Sequence, residues 1–86
     1  MKSYILSNSS GSPQFTWRQQ QVIGCLAAGM TETEIATRLC ISPRTVRMHC
    51  DVVRIRLDVP KRRLIPVAYR ERTGRDPLEL KPNGLV

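Results

Sequence analysis

The 86-residue chain carries 14 Lys and Arg against 7 Asp and Glu, a formal charge of +7, with 41% hydrophobic and 24% charged residues. That length holds one small domain with tails and no second domain, the apolar content is too high for a basic disordered segment, and the charge points to an anionic partner: nucleic acid first, then an acidic protein or membrane surface. No apolar run comes near the roughly 20 residues that span a bilayer, and the N-terminus lacks a signal-peptide apolar core, so the expectation is a cytoplasmic protein.

Residues 1–14 read as a flexible N-terminal arm: a short apolar patch, Tyr4-Ile5-Leu6, followed by the loop composition Ser7-Asn8-Ser9-Ser10-Gly11-Ser12-Pro13. Thr16 with Gln19 three residues on forms a capping box, and Val22, Ile23, Leu26 and Ala27 follow at helical spacing, which predicts a helix over about 17–28 stopped by Gly29. A second capping box, Thr31 with Glu34, opens a short helix over about 32–39 carrying Ile35, Ala36 and Leu39. Ser42 as N-cap and Pro43 at the first helical position open a third, over about 43–57, whose Val46, Cys50, Val53 and Leu57 share one face. Asp58-Val59-Pro60 breaks it.

A fourth helix is expected over about 62–73, on Leu64, Ile65, Val67 and Ala68, with Gly74 as its stop. Pro66 lies inside it, so this helix should start late or be kinked. Residues 75–86, with Pro77, Pro82 and Gly84, read as a C-terminal tail. There is no strand pattern and no internal repeat, and the fold class is all-α with four helices.

Cys25, Cys40 and Cys50 make an odd number with no Cys-x-x-Cys pair, so they are expected to be small, reduced core residues rather than a disulfide framework or a zinc ribbon. His49 beside Cys50 does not make a metal site, because neighbouring helical residues diverge by about 100° and no second close pair completes a tetrahedron. No catalytic constellation, phosphate loop or cofactor motif appears, and an enzyme is the least favoured reading.

The charge is unevenly placed. Between Arg44 and Arg75 ten bases face three acids, Asp51, Asp58 and Glu71, so this span carries the whole +7 excess while the rest of the chain balances. A short helix, a three-residue connection and a longer helix follow the helix-turn-helix plan, with Ala36 at the crossing and Val46 packing back against it. With Val46, Cys50, Val53 and Leu57 turned inward, Arg44, Arg47, Met48 and Asp51 form one outward patch on the third helix. Arg can grip guanine bidentately, Met can touch a thymine methyl and Asp can accept from the cytosine amino group, so these four are the base-facing candidates. Thr33, Ser42 and Thr45 sit at helix starts that suit phosphates, and Arg54, Arg56, Lys61 and Arg62 supply longer-range phosphate attraction.

In register, Phe15-Thr16-x-Arg18, Val22-Ile23, Ala28-Gly29-Met30-Thr31, Glu34-Ile35-Ala36, Leu39, Ile41-Ser42-x-x-Thr45-Val46-Arg47-x-His49, Val53, Leu57 and Val59 resemble the LuxR-type (FixJ/NarL, GerE-like) DNA-binding domain over about residues 15–70. The resemblance implies a bacterial or phage type transcription factor, four helices, a third helix reading the major groove, and a fourth carrying the homodimer contact. It assigns base-facing roles to Arg47, Met48 and Asp51, a backbone-contact role to Thr45 and the start of the second helix, and a packing or phosphate-adjacent role to His49. Four departures stand out. Asp51 replaces a residue that is often basic or polar, so its carboxylate either reads cytosine or repels the backbone. Gln19 and Gln21 replace glutamates, and Trp17 replaces a proline, with packing its expected role ahead of a partner contact. Residues 62–73 are the candidate dimer surface, and Pro66 is the argument against it.

The expected function is a stand-alone, sequence-specific DNA-binding transcriptional regulator with double-stranded DNA as partner and no cofactor, metal or membrane. The alternatives are a helix-turn-helix adaptor binding RNA polymerase or a regulatory protein, motivated by Asp51, Pro66 and the outward-facing Val52 and Ile55, or a domain similar to sigma region 4.

Overall fold

The computed structural model describes residues 14–81, and among these the chain is all-helical: α1 Trp17–Ala27, α2 Glu32–Leu39, α3 Pro43–Leu57 and α4 Ile65–Thr73, with 3-10 turns at Arg62–Leu64 and Pro77–Leu80. The apolar patch Tyr4-Ile5-Leu6 lies outside the described residues.

The first three helices begin on a side-chain cap. Thr16 Oγ1 accepts from Gln19 N at 3.1 Å while Gln19 Oε1 accepts from Thr16 N at 3.0 Å. Thr31 and Glu34 repeat the exchange at 3.2 and 2.8 Å, and Ser42 Oγ accepts from Thr45 N at 3.1 Å with Pro43 in the first turn. Each pair supplies partners for N–H groups that a helix start leaves unbonded, worth about 1 kcal/mol per cap.

Their ends also share one device. A residue in the left-handed region follows the helix, and the next N–H reaches back five residues: Met30 to Cys25, Ile41 to Ala36 and Val59 to Arg54, at 3.2, 3.0 and 3.1 Å. This closes the last turn and directs Met30, Ile41 and Val59 inward, where the first two pack on one apolar cluster and the third on another. The left-handed residue is a glycine only after α1 (Gly29, φ 83°); after α2 it is Cys40 (φ 59°) and after α3 it is Asp58 (φ 57°). Cys40 is therefore exposed, unlike the buried Cys25 and Cys50, which corrects the expectation that all three cysteines lie in the core. Its backbone conformation turns it out of the helix before its side chain can reach the cluster.

Two apolar clusters form the core. One joins α1, α2 and the first half of α3 through Val22, Cys25, Ile35, Ala36, Leu39, Val46 and Cys50; the other joins α1, the second half of α3 and α4 through Ile23, Val53, Leu57, Ile65, Ala68 and Tyr69. Leu26 packs on both. Ala36 sits buried at the α2/α3 crossing in the cluster that holds Val46, where its small side chain lets the helices approach. Phe15 packs on the second cluster, its ring 6.0 Å from that of Tyr69. Ile23, Ile35, Val46, Val53 and Ile65 are fully buried, each contributing about 1.5–3 kcal/mol relative to exposure.

One expectation is narrowed and two are revised. Pro66 is the second residue of α4, after the 3-10 turn, so it stands in the first turn, where a missing N–H leaves no gap and no kink follows. The late start is realised, and the proline gives no argument against a contact through this helix. Residues 75–81 are not a loose tail: Asp76 Oδ1 accepts from Leu78 N at 3.0 Å to cap the turn Pro77–Leu80, Pro77 is buried, and Leu80 packs on the second cluster. The turn lies so close to α1 that a Cβ on Gly24 would overlap the backbone of Leu80 and Lys81. Trp17, expected to pack, is 71% exposed, because the inward position in the first turn of α1 belongs to the capping residue Gln19, which is buried.

Candidate nucleic-acid interface

The outer face of α3 is set by what its inner face buries. Val46, Cys50, Val53 and Leu57 are 2% exposed or less, and at 100° per residue the opposite surface carries Arg44, Met48, Asp51, Val52 and Ile55, with Arg47 at one flank. Arg44, Arg47, Met48 and Asp51 are all exposed, Met48 at 59%, and they span about 100° of the helix surface from Arg47 at one edge to Met48 at the other. The four residues expected at the base-facing surface thus share one side of one helix. Val52 and Ile55 extend the same surface toward the C-terminus, with Ile55 68% exposed.

The flanking residues divide into those held by the protein and those that are not. Ser42 is exposed, and its hydroxyl, besides capping α3, lies 3.0 Å from that of the half-buried Thr45. Thr33 is exposed on the second position of α2, and Lys61 is exposed between α3 and α4. Arg54 Nη1 donates to the Val59 carbonyl at 3.3 Å, supplying a partner to the chain just past α3. Arg56 Nη1 donates to the Gln14 carbonyl at 2.7 Å and ties α3 to the segment before α1. Arg56 lies about 180° around α3 from Arg47, so the structure does not bring the two to the same flank.

Arg47 is held by a residue that sequence reading passed over. Its Nε and Nη2 donate to Glu32 Oε2 and Oε1 at 3.2 and 3.0 Å, and Arg62 Nη2 donates to the same Oε2 at 3.4 Å. The Arg47 bond holds the Glu32 carboxyl below the usual carboxylate range, and Glu32 in turn raises the Arg47 guanidinium. Sequence separations of 15 and 30 residues leave no local signal for this triad; only the docking of α2 on α3 produces it. Asp51 is near enough to add a smaller raising effect on Arg47.

His49 is half-buried on the flank of α3 facing α1, where burial first and the nearby Arg18 second push its imidazole below the ordinary value. Arg18 Nη1 reaches the Leu39 carbonyl at 3.5 Å, so α1 closes the end of α2 beside it. Burial raises the Cys25 and Cys50 thiols, which favours the uncharged form of both. Among the described residues no three His, Cys, Asp or Glu side chains gather as a metal-holding group, and no helix is long and apolar enough to cross a membrane.

An exposed basic helix following a tightly crossed shorter one is the architecture of a helix-turn-helix domain, and the family model for bacterial regulatory proteins of the luxR family matches residues 13–67. The chain belongs to the luxR family. The match runs from just before the α1 cap into the first turn of α4 and includes the whole α2/α3 unit. Domains of this luxR type are DNA-binding regulatory domains, and DNA binding is the coarse function the match supports. No curated protein and no solved structure matches the chain significantly.

Proposed function

We propose that the chain is a sequence-specific transcriptional regulator that inserts the N-terminal half of α3 into the DNA major groove. Arg44, Arg47, Met48 and Asp51 face the bases, and Thr33, Ser42, Arg54, Lys61 and Arg62 line the route of the phosphates. Thr45 and Arg56, within about 20° of each other on the flank opposite Arg47, meet the other strand. The single observation that carries this reading is the shared outward face of Arg44, Arg47, Met48 and Asp51 on a helix whose inner face is wholly buried. The set contains a donor for guanine, a methyl contact for thymine and an acceptor for cytosine, the chemistry of direct readout.

A single module of this size covers few base pairs, and helix-turn-helix proteins bind as dimers on paired half-sites. Residues 62–73 are the proposed homodimer surface. Leu64, in the turn that leads into α4, and Val67 in its first turn, 38% and 57% exposed, give this segment an apolar outer side that supports such a contact.

Binding to random duplex and to sequences selected from a random pool, across a salt series, tests the reading. The expected result is a selected duplex that beats random DNA, with log K falling by about 0.9 per log salt for each phosphate neutralised. Arg47→Ala is expected to relax preference at one base position at a cost of about 1–3 kcal/mol, and Lys61→Ala to weaken all sequences alike. No binding to any duplex at low salt would replace this reading with the protein-binding adaptor, for which Val52 and Ile55 form the contact surface.

A further inference from the structure

Glu32 is the first residue of α2, and three segments distant in the chain meet at its carboxylate: α2 itself, Arg47 on α3 and Arg62 in the turn before α4. The pair with Arg47 is bidentate, and its choice of atoms matters. A guanidinium presents two forked edges, a side edge made of Nε and Nη2 and an end edge made of Nη1 and Nη2. Glu32 takes the side edge with both oxygens, at 3.2 and 3.0 Å. The end edge is left unused by this pair, on a side chain that is 55% exposed.

Guanine offers O6 and N7 to two parallel N–H groups, and the end edge of a guanidinium fits them. The carboxylate and such a base therefore do not compete for the same edge. The Glu32 side chain is only 24% exposed, and Arg62 Nη2 at 3.4 Å holds Oε2 from a second direction, so the carboxylate is itself fixed. An unbraced exposed arginine samples many rotamers and meets phosphates as readily as bases, whereas a braced one points in a single direction. The carboxylate also offsets the guanidinium charge, which lowers its attraction for the backbone.

We propose that Glu32 is the positioning residue for base readout, bracing Arg47 with its end edge toward guanine and suppressing its use as a general phosphate contact. This rests on the reading that α3 faces the major groove. It assigns base specificity to a residue on the helix that does not enter the groove, and it makes Arg62 the outer support of the brace as well as a phosphate contact.

The test uses the full chain and the duplex that the wild type selects from a random pool. The position read by Arg47 is first located as the one where Arg47→Ala relaxes base preference. Glu32→Gln removes the charge and cannot accept both N–H bonds. Discrimination for guanine over the other bases at that position is expected to fall about tenfold. Random duplex is expected to bind more tightly, with the salt slope steeper by up to about 0.9. Glu32→Asp, which keeps both oxygens on a shorter stem, is expected to retain more of the discrimination than Glu32→Gln. A merely structural role would shift the thermal midpoint and weaken all duplexes by one factor. An unchanged ratio between guanine and the other bases in Glu32→Gln, whether overall affinity rises or falls, overturns the proposal. A wild type that selects no duplex overturns instead the groove-binding reading on which it rests, so the two failures are told apart by which protein shows them.

Discussion

The helix-turn-helix half and the C-terminal half of this domain are built by different means. In the first, α1, α2 and α3 each open on a hydroxyl that caps the helix within four residues of chain, and each closes on the same backward hydrogen bond from a left-handed turn. In the second, α4 opens on Leu64 with no side-chain cap, and the turn Pro77–Leu80 rests on α1 across more than fifty residues of sequence. Local chemistry specifies where the first three helices begin; burial of Ile65, Ala68 and Tyr69 specifies where α4 lies. The α2/α3 unit, whose crossing aims the basic helix, thus rests on local signals and on one small cluster. The second cluster anchors the far half of α3 and fixes the helix proposed to pair two copies.

Breaking the second cluster should therefore have the largest effect. Ile65→Ala is expected to cost about 2–5 kcal/mol in denaturant unfolding, with hydrogen-exchange protection lost first in α4. Equal loss of protection across α2 and α3 would show that the two halves share one cooperative unit. Gly24→Ala comes next. Alanine favours the helix by about 1 kcal/mol, but the overlap with the Leu80–Lys81 backbone should outweigh it and leave a net loss of about 1–2 kcal/mol, with new protease cleavage around residues 75–81. A more stable variant with that segment still protected would refute the close approach. The smallest change sharpens the local side of the comparison: Cys40→Gly relieves a left-handed non-glycine residue whose side chain is exposed, and a gain of about 0.5–1 kcal/mol is expected. A loss in its thermal midpoint would mean that the Cys40 side chain contributes to the turn.

Much of this was legible because the signals are short. Thr16 with Gln19, Thr31 with Glu34 and Ser42 with Pro43 each announce a helix within a few residues, and the spacing of Val46, Cys50, Val53 and Leu57 announces which side of α3 is buried. From that one face the outward patch of Arg44, Arg47, Met48 and Asp51 follows by rotation alone. The left-handed turns at Cys40 and Asp58 were not legible, since neither residue type signals positive φ as glycine does. Trp17 escaped for another reason: a large apolar residue suggests burial, but the capping residue Gln19 took the inward position.

Caps, periodicity and charge are properties of neighbouring residues, so the all-helical class, the helix-turn-helix plan, the concentration of positive charge after residue 43 and the luxR-type pattern can all be read along the chain before any tertiary contact is known. That Pro66 falls harmlessly in a first turn, that residues 77–80 dock on Gly24, and that Glu32 meets Arg47 and Arg62 depend on how the helices pack, which joins residues far apart in the chain. The +7 charge is accordingly not a uniform field at the proposed reading surface: one of its arginines is already paired, through a contact that exists only when α2 lies across α3.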